Sequence, residues 1–319
     1  MINKKSKIFV AGHNGMIGSA IIRKLIELNY RNIYTINRSK LDLTDQNKVY
    51  KYLKKIKPNA VIVAAAKVGG IKANNTQKAD FIFDNLSIQN NLIHGSFKVG
   101  VKNLIFLGSS CVYPKKCKQP IKESYLLSDY LEKTNESYAV AKIAGIKLCS
   151  SYNFQYKLNY KCLMPCNSYG LNDNYDLQTS HFFPALLRKI IEAARYKKNY
   201  IKIWGNGKAL REVIYSDDVA EACIFFLNKK TKDSVINIGT GVEKTINEYA
   251  KFIMTHLKLK LKIVHENRTF NGTYRKILDC SVAKKYGWKH KTSLEKGLSS
   301  TINDYLGNYI LKNKKIINL

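Results

Sequence analysis

A glycine-punctuated turn, Gly12-His-Asn-Gly15-Met-Ile-Gly18, follows at once on the apolar run at residues 7–11 and opens a stretch, residues 16–28, with apolar positions at helical spacing. Strand, glycine loop, helix is the opening of a βαβ unit. Glycines there allow a tight turn, close approach of backbone to a pyrophosphate, and an anion site at the helix N-terminus. The alternation continues with strands expected at 32–36, 60–64, 103–107 and 160–164, and helices at 46–55, 79–98 and 138–152. Strands and helices in that order imply right-handed crossovers and a parallel sheet covered on both faces, an α/β, Rossmann-like, doubly wound fold. Past Pro165 the pattern loosens into a loop to Ser180, a helix over 183–195, then short strands and helices ending near Tyr309. The expected organisation is a dinucleotide-binding domain over 1–165, with return segments from the C-terminal half. A smaller, partly interleaved substrate lobe then occupies most of 166–319.

The chemistry sits at the strand ends. Gly12, Asn14, Gly15, Met16, Ile17 and Gly18 form the candidate cofactor loop. The end of the second strand, where folds that take NAD usually carry an acidic residue for the ribose, holds Asn37-Arg38 instead, and arginine suits a 2′-phosphate. The fourth strand ends in Leu107-Gly108-Ser109-Ser110-Cys111, at the sheet edge where such folds bind ligands. Ser109 can hydrogen-bond a substrate oxygen there, or merely satisfy the turn.

Tyr138 and Lys142, in Ser137-Tyr-Ala-Val-Ala-Lys142, lie four residues apart and so share a helix face. A phenol titrates near pH 10, and a fixed cation nearby is expected to lower that value toward the working range. Tyr138 is therefore the candidate acid and Lys142 its activator. The spacing alone proves little in a chain with 21 Tyr and 54 Lys+Arg.

Lysine and arginine outnumber the 23 acidic residues to give a formal charge of +31, but the lysines are spread along the chain without a basic arm. The charge suggests an anionic partner, for which a phosphate-bearing small molecule suffices; a nucleic-acid binder on the same scaffold is the rival from a different class. Seven cysteines without paired CxxC spacing fit reduced thiols in the cytoplasm, and six scattered histidines predict no metal site. No apolar run of 18 residues occurs, so no membrane partner is expected.

Taken together, these motifs resemble the extended short-chain dehydrogenase/reductases acting on nucleotide sugars, and within them the GDP-L-fucose synthases. The resemblance rests on Ala64-Ala-Ala-Lys-Val-Gly-Gly-Ile71, Ala73-Asn-Asn75, Gly108-Ser-Ser-Cys-Val-Tyr-Pro114, Thr134-Asn-Glu-Ser-Tyr-Ala-Val-Ala-Lys-Ile-Ala-Gly145 and Arg211-Glu212, in order along nearly the whole chain. It implies NADP(H) as cofactor and GDP-4-keto-6-deoxy-mannose as substrate. The implied chemistry is epimerisation at C3 and C5, then reduction at C4. It assigns Cys111 and His181 to proton transfer, Ser109, Tyr138 and Lys142 to reduction, and Lys189, Trp204, Arg211 and Asp279 to the GDP-sugar. Pro165, Asn167 and His181 resemble further cofactor contacts. A homodimer through helices 79–98 and 138–152 is implied as well. Two positions depart from the pattern: Asn14 where arginine is frequent, and Tyr274, in Asn271-Gly-Thr-Tyr-Arg-Lys276, where proline is usual. A relative that handles another GDP-keto sugar stays open at this point.

Overall fold

The computed structural model describes residues 2–266 and 273–310; Asn271 and Gly272 of the Tyr274 segment lie outside them. Six parallel strands form the central sheet: β1 (Ile8–Ala11), β2 (Ile33–Tyr34), β3 (Ala60–Val63), β4 (Asn103–Leu107), β5 (Asn159–Pro165) and β9 (Val235–Ile238), in the order β2-β1-β3-β4-β5-β9. The chain steps from β1 outward to β2 and then back across to β3, so the strand order reverses beside β1. Ligands of open parallel sheets bind in the crevice that such a reversal leaves at the carboxyl ends. β1, β3 and most of β4 are buried throughout, which is why they read as unbroken apolar runs.

Helices α1 (Met16–Glu27) and α7 (Ser216–Asn228) pack together on one face, and α2 (Gln46–Ile56), α4 (Lys78–Lys98) and α5 (Glu136–Tyr156) on the other. A short α3 (Ile71–Thr76) precedes α4. The Asp45 side chain accepts the Lys48 N–H to start α2, and Lys57 in left-handed conformation ends it. Arg23 on α1 and Asp217 on α7 form an ion pair at 2.6 Å.

The second lobe has its own core, including Tyr169, Phe183, Leu187, Tyr249 and Leu298. The segment expected as a loop to Ser180 contains β6 (Asn167–Tyr169), which pairs in parallel with β8 (Leu210–Tyr215). Three residues with partners 46 positions away are too short and too distant for periodicity to reveal. β8 also pairs with β10 (Glu243–Thr245) and β12 (Arg275–Lys276), and β7 (Tyr200–Trp204) pairs with β11 (Lys262–Glu266). Helices α6 (Phe182–Arg195), α8 (Ile246–His256), α9 (Ser281–Lys285) and α10 (Leu294–Asp304) complete the chain, the last continuing in a π-helical turn over Tyr305–Ile310. Thr245 and Glu248 form a capping box at α8. Among the described residues, no helix is long and apolar enough to cross a membrane, and no group of three or more His, Cys, Asp or Glu could hold a metal ion.

Candidate active site

The glycine loop leaves β1 through Gly12, whose φ of 87° is a left-handed conformation that glycine adopts without strain. A Cβ on Gly12 would lie 2.5 Å from the Ala65 nitrogen, and one on Gly18 would run into the Gly12 carbonyl. The loop is thus closed on itself and on the end of β3. Gly15, at the N-cap of α1, has no neighbour closer than 3.5 Å to such an added atom and no side chain caps the helix, so the first turn of α1 is open to an anion at Gly15. A pyrophosphate fits that cradle. Asn14 Nδ2 donates to Asn37 Oδ1 at 3.0 Å, tying the loop to the end of β2, and Arg38 next to it is exposed.

At the end of β4, Ser109 adopts an extended conformation and caps a single 3₁₀ turn, Ser110–Val112, its Oγ accepting the Cys111 N–H at 3.2 Å. That turn presents Cys111 beside the start of α5. Tyr138 shares a hydrogen bond with Ser109 and feels the sulfur of Cys111 electrostatically. These three expected residues are therefore brought together by β4 and α5.

Lys142 differs in detail from expectation. Its ammonium donates to the Leu107 carbonyl at 2.9 Å, sits 4.7 Å from the Phe106 ring centroid, and stands 5.9 Å from that of Tyr138. Burial lowers its pKa to about 8. Burial likewise pushes the Tyr138 phenol up, the Cys111 sulfur adds to the rise, and the Ser109 hydrogen bond opposes it. The expected lowering of Tyr138 by Lys142 is thus not what this arrangement gives, because desolvation outweighs a cation directed at a carbonyl. Tyr138 holds its proton at neutral pH, the state an acid needs.

His181 is the N-cap residue of α6. It reaches this side of the molecule because Gly70 N–H donates to the Thr179 carbonyl at 2.7 Å, and a Cβ on Gly70 would strike the Ser180 carbonyl. Gly69 in turn packs on Phe81, whose ring lies 6.4 Å from that of Tyr138. Surrounding protein lowers the His181 pKa by desolvation, although the residue retains exposed surface.

Arg211 on β8 is the next cation inward. Its Nη1 donates to the carbonyls of Leu210 at 2.8 Å and Tyr274 at 3.4 Å. Burial lowers its pKa, against the opposing influence of Cys111 and Glu132. Tyr274 serves Arg211 through its backbone and leaves its ring exposed. In the second lobe Lys189 lies 5.3 Å over the Trp204 ring. Pro165 ends β5 and Asn167 Nδ2 donates to the Glu212 carbonyl at 3.0 Å.

Asp279 follows β12 by three residues and is held locally. Its carboxylate accepts from the Ser281 hydroxyl and N–H at the start of α9, which lowers its pKa, and its charged neighbours are Lys122 and Lys284. Lys276 was not anticipated: its Nζ is 3.9 Å from Cys111 Sγ. Nothing in the sequence links residues 165 positions apart, and only the pairing of β12 with β8 places Lys276 beside Arg211.

The sequence profile of the NAD dependent epimerase/dehydratase family matches residues 8–239. The chain belongs to that family. It is 48% identical to a GDP-L-fucose synthase of Sinorhizobium fredii, with 95% of this chain and 96% of the relative covered. It is 47% identical to a putative GDP-L-fucose synthase of Arabidopsis thaliana, with 98% and 95% covered. Among solved structures it resembles a GDP-6-OMe-4-keto-L-xylo-heptose reductase of Campylobacter jejuni (TM-score 0.89, 35% identity, 96% of this chain and 99% of that one). It also resembles a GDP-D-glycero-L-gluco-heptose synthase of the same organism solved in the presence of NADPH (TM-score 0.87, 36% identity, 96% and 100% covered). As an epimerase/dehydratase family member the chain uses a nicotinamide cofactor, and the glycine loop, Lys142 and the β4 end are the parts that fit one.

Proposed function

We propose that this chain is a GDP-L-fucose synthase that inverts C3 and C5 of GDP-4-keto-6-deoxy-mannose and then reduces C4 with NADPH. The observation that carries the reading is the meeting of Ser109, Tyr138 and Cys111 at the end of β4, an acid and a thiol within reach of one ketone. The activity named for the plant and rhizobial relatives supports the choice of substrate.

A ketone at C4 acidifies the hydrogens on C3 and C5, because the carbanion is delocalised onto oxygen. Cys111 takes such a proton and His181 returns one to the opposite face. Tyr138 then gives its proton to the C4 oxygen, and Ser109 holds that oxygen while charge develops on it. The reduced nicotinamide supplies the hydride when bound. Lys142 holds the cofactor ribose, and Arg38 pairs with the 2′-phosphate that distinguishes NADPH. Arg211 and the Lys189–Trp204 pair hold the GDP-sugar in the second lobe, the large sheet serving the cofactor.

Exposed Phe83 on α4 and Val140 and Phe154 on α5 support a homodimer through these helices. Seven free thiols suit the cytoplasm.

The decisive experiment is incubation of the purified chain with GDP-4-keto-6-deoxy-mannose and NADPH, followed at 340 nm and by NMR of the product. Reduction yielding the L-galacto configuration supports the assignment. No NADPH consumption overturns it, and reduction with one or neither centre inverted assigns the chain to another GDP-keto sugar product.

A further inference from the structure

We propose that Lys276 is the positioning residue for the thiolate of Cys111, holding the sulfur in its anionic form for proton abstraction. The inference rests on the preceding reading of Cys111 as the base and adds the group that makes it one.

A cysteine acts as a base only as thiolate, and a neighbouring cation with access to the sulfur favours that form. Three positive side chains lie on the paired strands here. Arg275 is bonded twice to the Glu243 carboxylate, at 2.8 and 3.0 Å, on the far side of β12. Arg211 spends its Nη1 on two backbone carbonyls and has Glu132 as an acidic neighbour. Lys276, the strand partner of Arg211, directs its ammonium to Cys111 Sγ at 3.9 Å. No carboxylate among the described residues lies within ion-pair distance of it. From α5 the protonated phenol of Tyr138 faces the same sulfur, from β8 Arg211 faces it, and Cys117 lies within the influence of Lys276. Every charged group turned toward Cys111 in this set is therefore a cation.

The thiolate takes H⁺ from the carbon beside the ketone, so that an S–H bond forms and the C–H electrons become an enolate. Protonated His181 gives its N–H proton to that carbon on the other face and restores the ketone. The thiol returns its proton to solvent and the imidazole regains one before the second inversion. Lys276 keeps its proton throughout and acts only through charge.

The test uses the whole protein with Lys276→Met and Lys276→Arg, each checked by circular dichroism and thermal melting. Iodoacetamide alkylation between pH 6 and 9, read by peptide mass spectrometry, reports the thiolate of Cys111 directly, with Cys149, deep in the core, as a negative control. We expect Lys276→Met to slow alkylation of Cys111 at pH 7 by about tenfold, the effect of one lost unit of charge stabilisation, and to displace the curve to higher pH. Lys276→Arg should stay within about threefold of the parent. Solvent deuterium wash-in at C3 and C5 should fall in parallel, with substrate KM nearly unchanged. An alkylation curve unmoved by Lys276→Met overturns the proposal, as does a variant whose whole defect lies in KM, since Lys276 would then be a diphosphate ligand. Alkylation needs no sugar, so a normal Lys276 effect without wash-in rejects the assigned substrate and leaves the lysine–thiolate pairing in place.

Discussion

Lys161 stands in the middle of β5, paired with Ile105 of β4, with 2% of its surface exposed and no hydrogen-bond partner for its Nζ among the described residues. Burial lowers its pKa from 10.5 to about 8. The folded state therefore binds the proton more weakly than the unfolded chain does. Below pH 8 both states are protonated and the penalty is complete; between about 8 and 10.5 the folded state releases the proton first, and stability rises with pH. A shift of roughly 2.5 units at 1.36 kcal/mol each makes the penalty about 3 kcal/mol at pH 7. Lys161→Met keeps the apolar stem and forfeits no hydrogen bond, so it should stabilise the fold by that order. With an unfolding entropy of about 2.1 cal/mol/K per residue, this corresponds to a melting temperature higher by roughly 4 °C at pH 7. At pH 10 the gain should shrink to under about 1 kcal/mol, because the parent has by then shed most of its penalty. Differential scanning fluorimetry and urea unfolding at both pH values measure it. A variant less stable than the parent at pH 7, or a difference that does not change with pH, would refute the reasoning.

Lys142 has the same lowered pKa, about 8, but faces the site, so cofactor KM should rise as pH passes about 8, and Lys142→Met should remove that dependence while weakening cofactor binding at pH 7. Tyr138→Phe should reduce ketone reduction by about 100-fold or more with little change in melting temperature, measured as NADPH oxidation; a variant retaining a tenth of parental turnover would argue against Tyr138 as acid. Gly18→Ala forces a methyl into the Gly12 carbonyl, and isothermal calorimetry should find dinucleotide affinity lowered by more than about tenfold. Arg38→Ala should weaken NADPH binding by about tenfold and leave NADH unaffected, and equal effects on the two would remove Arg38 from the 2′-phosphate.

Much of this was legible in the chain because its signals are local. The glycine loop lies between a strand and a helix of ordinary length, Ser109 lies two residues beyond the end of a five-residue strand, and Tyr138 and Lys142 share one helix face. What escaped depends on partners remote in sequence. β6 and β12 are three and two residues long and exist because each pairs with β8. The proximity of Lys276 to Cys111 follows from that pairing. The direction of the Tyr138 shift escaped for another reason: spacing places a lysine on the right face, but only packing decides that its ammonium turns to Leu107 O and that burial dominates.

The return of β9 to the edge of the central sheet, bonded along Cys162–Pro165, bears on how this protein can be cut and recombined. A fragment ending at residue 165 would bare the whole edge of β5, an unpaired parallel strand with buried apolar side chains, and should aggregate rather than yield an isolated nucleotide module. Specificity transplants from relatives must therefore exchange the segments on either side of residues 235–238 as separate pieces, leaving that strand with its own sheet.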